Sequence, residues 1–351
     1  MTSSQMRSGD GIWVVGATFG AHYARALQGQ GLRAIIGRGG EEGRCLAQLL
    51  GCDYFSSIEQ ALDSPRPACA VIAVRSCIVG GEGDDIVRDL LRSNIPVLQE
   101  LPVHPREMVK SLRLAQQQGI PYHVTPFYDQ MPAVRRFLRA ARRLGVISSF
   151  RSVEMRVSVQ TLHCALFVLS EVIGAPSLAI NVTPMAGFAK VLISGSWQGI
   201  AVDIVMLNRL DAASPDDNSQ PLMQIVLLSD DGELMLHSPF GPVIWERRFQ
   251  QPPSLAVRPC ESDEGPLTLV SPQKDIPGIE HLYRGMDSAI RTTLARFMAS
   301  KNNEGTRMQR QLAVLQLWQK ICARAGHPLQ ERLTAPVPTG HILGITDVED
   351  E

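Results

Sequence analysis

Short apolar runs and amphipathic stretches alternate through the first third of the chain. Ile12-Trp13-Val14-Val15, Ala34-Ile35-Ile36, Cys69-Ala70-Val71-Ile72-Ala73-Val74 and Pro96-Val97-Leu98 are continuously apolar, which predicts strands buried on both faces. Asp53-Tyr54-Phe55 and Tyr122-His123-Val124 are shorter members of the series. Between them, residues 21–30, 44–50, 58–62, 86–93 and 108–118 carry apolar side chains at helical spacing. Strands and helices in strict alternation predict a doubly wound α/β domain, a parallel sheet with right-handed crossovers, over residues 1–128.

The texture changes after a helix at 133–144. Long period-two runs at 150–159, 178–183, 190–197, 200–206, 223–228, 233–237 and 243–249 predict a largely antiparallel, open sheet with one face buried. A helix at 162–173 interrupts them, and two more, 282–299 and 308–325, follow. Segments 212–221 and 250–278 are rich in Pro, Asp and Ser and read as loops. The expected architecture is therefore a nucleotide-type domain at 1–128 and an α+β domain at 129–351, whose last helices can pack back on the first domain.

At 351 residues, 44% apolar, the chain is long enough for two cores. A net charge of −1 gives no basic footprint for nucleic acid. No apolar run of about 18–20 residues is present, so no membrane-spanning helix is expected. The polar, Ser-rich first ten residues do not resemble a secretion signal. Seven scattered cysteines (45, 52, 69, 77, 164, 260, 322), with no C-x-x-C pair, argue for reduced thiols in the cytoplasm and against a metal site.

Chemistry concentrates at the strand ends. Gly16-Ala17-Thr18-Phe19-Gly20 follows the first strand and opens a helix, an imperfect dinucleotide fingerprint with Thr18 at the usual second glycine. Glycine there permits a tight turn and lets backbone N–H groups reach a pyrophosphate. The second strand ends in Gly37-Arg38-Gly39-Gly40, where an NAD site would place a carboxylate for the ribose 2′-hydroxyl. Arg38, with Arg44 behind it, suits a 2′-phosphate and so NADP, although Glu41 and Glu42 stand close by. Val74, Arg75 and Ser76 leave the most buried strand and face the nicotinamide half, followed by Gly80 and Gly81. Glu100 closes the fifth strand.

Taken together, GATFG, VRSCIVGG, QELPVHP, Pro126-Phe127-Tyr128 and Phe240-Gly241-Pro242-Val243-Ile244-Trp245 resemble the thiazolinyl imine reductases of siderophore biosynthesis. These serve yersiniabactin and pyochelin assembly and belong to the Gfo/Idh/MocA oxidoreductases. The resemblance implies a Rossmann domain holding NADPH through Gly16, Ala17, Thr18, Phe19, Gly20, Arg38, Val74, Arg75, Ser76 and Glu100. It implies reduction of a thiazoline C=N to a thiazolidine, on an intermediate carried by a nonribosomal peptide synthetase carrier domain. Sugar-oxidising relatives have Glu-Lys-Pro where this chain has Glu100-Leu101-Pro102, and their helix Asp and His fall at Gln160 and Cys164. That loss of basic apparatus speaks against sugar oxidation. Leu101 donates no proton, which leaves Tyr128, His104 or water as the acid. His163 reads as a core or rim residue. Reduction of another imine or carbonyl, and a catalytically silent nucleotide-binding subunit of a synthetase, are the alternatives. An open sheet face further suggests a homodimer.

Overall fold

The computed structural model describes residues 11–176, 179–185, 187–216, 218–249, 268–270, 279–300 and 305–335. Six strands open the fold: β1 (Ile12–Val15), β2 (Leu32–Ile36), β3 (Asp53–Phe55), β4 (Cys69–Ile72), β5 (Val97–Glu100) and β6 (Tyr122–Thr125). They pair in parallel in the order β3-β2-β1-β4-β5-β6. Helices α1 (Gly20–Leu27), α2 (Glu41–Leu50), α3 (Ile58–Leu62), α4 (Gly83–Arg92) and α5 (Pro105–Gln118) connect them. The continuously apolar strands are indeed the central ones: every residue of β1 and β4 is buried. Strand order reverses between β1 and β4, so the carboxyl ends there open a crevice.

Helix α6 (Pro132–Ile147) leads into β7 (Phe150–Ser158), α7 (Leu162–Ile173), β8 (Ile180–Pro184), β9 (Lys190–Trp197), β10 (Ile200–Leu207) and β11 (Arg209–Asp211). Then come β12 (Met223–Ser229), β13 (Gly232–Leu236), β14 (Val243–Arg247), β15 (Thr268–Val270), α8 (Ile279–Ala299), α9 (Gly305–Ala325) and β16 (Leu329–Glu331). An eight-stranded sheet runs β15-β14-β13-β12-β7-β10-β9-β8. Its alternation is clean across the register. Ile193, Ile204, Met155, Ile225 and Leu236 form one buried row. The neighbouring row, Ser194, Asp203, Glu154, Val226, Met235 and Ile244, belongs to the opposite face and is exposed or half-buried.

Three features differ from the sequence expectation. β7 and β10 are parallel, because α7 and the β8–β9 hairpin carry the chain across between them. Within the expected loop 250–278, residues 268–270 add an edge strand on β14, while the remainder lies outside the described residues. Strands β11 and β16 form a separate two-stranded parallel pair that three-residue segments are too short to announce.

The last two helices touch both halves. Arg291 Nε donates to the Ala26 carbonyl of α1 at 2.8 Å, and Phe297 meets His123 of β6 edge-on with ring centroids 5.2 Å apart. On α9, Gln319 lies 2.8 Å from His104 Nε2, while Trp318 packs on His163 of α7 at 5.9 Å. Burial pushes the His163 imidazole down to about 4, so it is a neutral core residue.

Candidate active site

The glycine turn after β1 is built for close backbone approach. Gly16 adopts φ +106°, and a β-carbon there would stand 2.6 Å from the Ala73 carbonyl oxygen at the end of β4. Gly20 begins α1, where a β-carbon would press on Val14 at 3.2 Å. No side chain caps the helix start, where the Ala21 and His22 N–H groups close the first turn on the Thr18 and Phe19 carbonyls. A narrow bare-backbone cradle ending in an uncapped helix fits the pyrophosphate of a dinucleotide.

Beyond β2 the chain turns outward. Arg38 is exposed, at the end of the strand next to β1. Gly39 sits at φ +83°, and its N–H donates to the Tyr54 hydroxyl at 3.1 Å. Arg44 in α2 lies over the Tyr54 ring, 5.9 Å from its centroid. Tyr54 was not singled out in the sequence. The signal was there in Gly37 and Gly43, two glycines flanking a turn beside a strand that carries one large polar-tipped aromatic.

The segment after β4 is tied on both sides. Ser76 is buried, and its hydroxyl donates to the Pro102 carbonyl at 2.5 Å, joining the β4 and β5 ends. Arg75 reaches across to the second half of the chain and ion-pairs with Asp216, its Nε 3.0 Å from the carboxylate. Of the two glycines that follow, Gly80 stands in open space at φ +79°, whereas Gly81, like Gly83 after it, approaches the backbone closely. A β-carbon would fall 1.9 Å from the Arg75 carbonyl oxygen at Gly81 and 2.5 Å from that of Val74 at Gly83.

At the far end, Glu100 finishes β5. Its carboxyl accepts from the Tyr23 hydroxyl, while Oε2 is inaccessible to solvent and has no hydrogen-bond partner. Burial raises the Glu100 carboxyl well above the usual range, more than the Tyr23 hydrogen bond lowers it. An orphaned acceptor at this strand end suits a donor group of a nucleotide's nicotinamide half.

After β6 the backbone makes an abrupt reversal at Phe127 (φ +48°, ψ −58°), a positive-φ γ-turn closed by Tyr128 N–H on the Pro126 carbonyl. Phe127 is held there by packing: it is 4% exposed and lies against Phe19 of the glycine turn, with ring centroids 5.2 Å apart, and against Tyr23 at 6.1 Å. The turn brings Tyr128 beside Cys164 and Glu100, and burial first, then those two groups, raise its phenol above its ordinary value. Cys164 is also driven upward by burial and by Glu100 and Asp129. Tyr23, Tyr128 and Cys164, protonated at neutral pH even at their ordinary values, are held further in that form, and burial shifts Glu100 in the same direction. His104 has another place: it caps α5, its Nδ1 accepting from Arg106 N–H at 3.1 Å, and its other ring nitrogen faces Gln319.

The structure therefore gathers Gly16–Gly20, Arg38, Val74–Ser76, Glu100 and Tyr128 along the carboxyl edge of one sheet, with His104 at its rim. Among the described residues no helix is long and apolar enough to cross a membrane. Comparison with curated proteins finds no match. Solved structures share the fold at low identity. An oxidoreductase from Agrobacterium radiobacter in complex with NAD+, L-tartaric acid and magnesium has 11% identity and TM-score 0.68, over 91% of this chain and 98% of that one. Biliverdin reductase from Synechocystis sp. PCC 6803, in complex with biliverdin and NADP+, has 13% identity and TM-score 0.62, over 91% and 99%. GenD2 from gentamicin A biosynthesis, in complex with NAD, has 15% identity and TM-score 0.64, over 93% and 96%. Residues 11–125 match the model of the oxidoreductase family with NAD-binding Rossmann fold, Gfo/Idh/MocA, and residues 149–246 that of the thiazolinyl imine reductase Irp3-like C-terminal domain. The chain is thus a Gfo/Idh/MocA-type oxidoreductase carrying a thiazolinyl imine reductase Irp3-like C-terminal domain.

Proposed function

We propose that the protein reduces the C=N bond of a thiazoline ring to a thiazolidine, using NADPH, on an intermediate borne by a nonribosomal peptide synthetase carrier domain during siderophore assembly. One observation carries this reading. The buried end of the cleft gathers Tyr23, Glu100, Tyr128 and Cys164, and burial pushes each of them up, disfavouring its charged form. Oxidising an alcohol requires a base to take a proton, whereas reducing an imine requires an acid to give one. Leu101, buried in place of a lysine, leaves no base at that position for the first task.

Gly16–Gly20 would hold the pyrophosphate, Arg38 and Arg44 the 2′-phosphate, and Val74, Arg75, Ser76 and Glu100 the nicotinamide half. A dihydronicotinamide bound there supplies hydride to the imine carbon. Tyr128 gives its phenolic proton to the ring nitrogen and recovers one from water. His104 keeps α5 in place at the rim and is the second candidate donor. Phe127 and Phe19 pack the floor of the cleft and exclude water from it.

The substrate enters from solvent while its carrier stays outside. Asp216, in the loop that follows β11, meets Arg75 at the cofactor segment and marks one lip of such a groove. Contact with the carrier is weak, because the intermediate must pass onward. We place pairing with a second copy on the open face of the eight-stranded sheet, and the enzyme in the cytoplasm.

The experiment is to incubate the protein with NADPH and a hydroxyphenyl-thiazolinyl-thiazoline, following nucleotide absorbance and product mass. Mass gain of two hydrogens with loss of NADPH supports the reading, and tight nucleotide binding without consumption refutes it. Comparing kcat/KM for the carrier-bound intermediate and the same heterocycle as a free ester tests the carrier. Equal values remove it from the picture.

A further inference from the structure

Tyr54 occupies a position that the cofactor assignment leaves unexplained. It lies in β3, the edge strand of the parallel sheet, yet its side chain runs beneath the turn that carries Arg38. The hydroxyl accepts the Gly39 N–H at 3.1 Å and stands 3.5 Å from the Gly40 carbonyl, the residue that caps α2. The ring fills the space that side chains at two other positions would need. A β-carbon on Gly37 would lie 2.8 Å from the hydroxyl oxygen, and one on Gly43 would lie 2.8 Å from Cε2. At Gly43 the same β-carbon would also meet Ala17 of the phosphate turn at 3.4 Å, so the ring, α2 and the glycine turn are in one layer. Arg44 rests over the ring.

One side chain therefore grips both arginine-bearing segments: the 37–40 turn through its hydroxyl, and the first turn of α2 through its ring. The turn needs such a grip. It contains three glycines among four residues, and its own backbone entropy would otherwise let Arg38 wander. Glu41 and Glu42 in the first turn of α2 are exposed beside it, so an unheld Arg38 also has carboxylates at hand.

We propose that Tyr54 is the positioning residue for discrimination between 2′-phosphate and 2′-hydroxyl, holding Arg38 and Arg44 where a 2′-phosphate is read. The proposal rests on the assignment of Arg38 to that phosphate and deepens it. Tyr54 itself needs no contact with the nucleotide. Its removal lowers selectivity rather than general nucleotide affinity, because the Gly16–Gly20 cradle does not depend on the hydroxyl.

The test is calorimetric binding of NADP+, NAD+, 2′,5′-ADP and 5′-AMP to the full chain, without turnover. Tyr54→Phe keeps the ring and removes the hydroxyl. It is expected to weaken NADP+ and 2′,5′-ADP by about three- to tenfold, the worth of one hydrogen bond, leaving NAD+ and 5′-AMP within about twofold. Gly37→Ala, which pushes on the hydroxyl from the opposite side, should shift the same ratio in the same direction. Thermal melting without nucleotide separates this from general damage. An equal loss for all four ligands, or no loss, overturns the proposal while leaving Arg38 as the phosphate reader. A wild-type protein that binds NAD+ as tightly as NADP+ overturns both.

Discussion

Arg38 and Tyr128 stand on opposite sides of the β1/β4 switch, one on an exposed glycine turn after β2, the other behind a strained turn after β6. The first region offers permanent positive charge on a glycine-rich turn, open to water and tied to β3 through Phe55 and Tyr54. The second is packed among Phe19, Tyr23 and Phe127 and keeps its phenols neutral. The contrast follows from what each must do. A phosphate can be recognised in water by charge-assisted pairing, whereas desolvation at the buried end disfavours the charged form of each phenol and thiol. Alterations at the buried end should therefore cost more than those at the open end.

The largest expected effect is on chemistry at the buried end. Tyr128→Phe should lower kcat by roughly 10²–10⁴-fold with NADPH affinity unchanged, measured by steady-state assay and direct titration. His104→Ala is the paired control. If neither variant slows turnover, water is the acid and the comparison collapses. Next is Gly16→Ala, between the two regions. With φ +106° and the Ala73 carbonyl 2.6 Å from the added carbon, it should cost about 2–5 kcal/mol of stability in urea unfolding and abolish binding of both nucleotides. A melting curve like that of the wild type would show that the turn can relax.

The buried region also has a pH signature. His163 is depressed to about 4 in the folded state, against about 6.5 when unfolded. Its neutral form is favoured by folding, so its contribution is fully present above pH 6.5 and is lost as pH falls from there through 4. At most it amounts to about 3 kcal/mol. Urea midpoints across that window should fall less steeply for His163→Leu than for wild type, and parallel slopes would rule the residue out. The smallest effect belongs to the open end. Arg38→Ala should weaken NADPH by roughly ten- to a hundredfold and NADH little, in keeping with one charge-assisted pair. Equal losses for both would mean that Arg38 reads no phosphate.

The two regions also differed in how far the residues alone revealed them. Gly16–Gly20, Arg38 and the apolar β1 and β4 were legible because local chemistry determines them: bare turns, strand-end charge and burial on both faces. The antiparallel alternation of the second sheet was legible too, but not the direction of β10 beside β7, since period-two patterning says which face is buried and nothing about the partner's sense. Phe127 could not have been read as a γ-turn, because no glycine marks it and only the surrounding rings enforce it. His104 followed by Pro105 did carry the signature of a helix start, which its apparent suitability as an acid overshadowed. Tyr54 escaped because its meaning lies in the glycines it displaces.

The docking of α8 and α9 on the first sheet has a consequence for synthesis. Their hydrogen-bonding partners on that sheet and its helices lie 187, 215 and 265 residues away, at Val124, His104 and Ala26. At a ribosome adding about 5–20 residues per second, the nucleotide-binding half waits roughly ten to fifty seconds for those contacts. During that interval the surfaces of α1, α5 and β6 that later accept the two helices face solvent or a chaperone. Nascent chains arrested after the eight-stranded sheet but before α8 should therefore be more open to proteases at α1 and β6 than the finished protein, and nucleotide competence should arrive only with the last turns of α9.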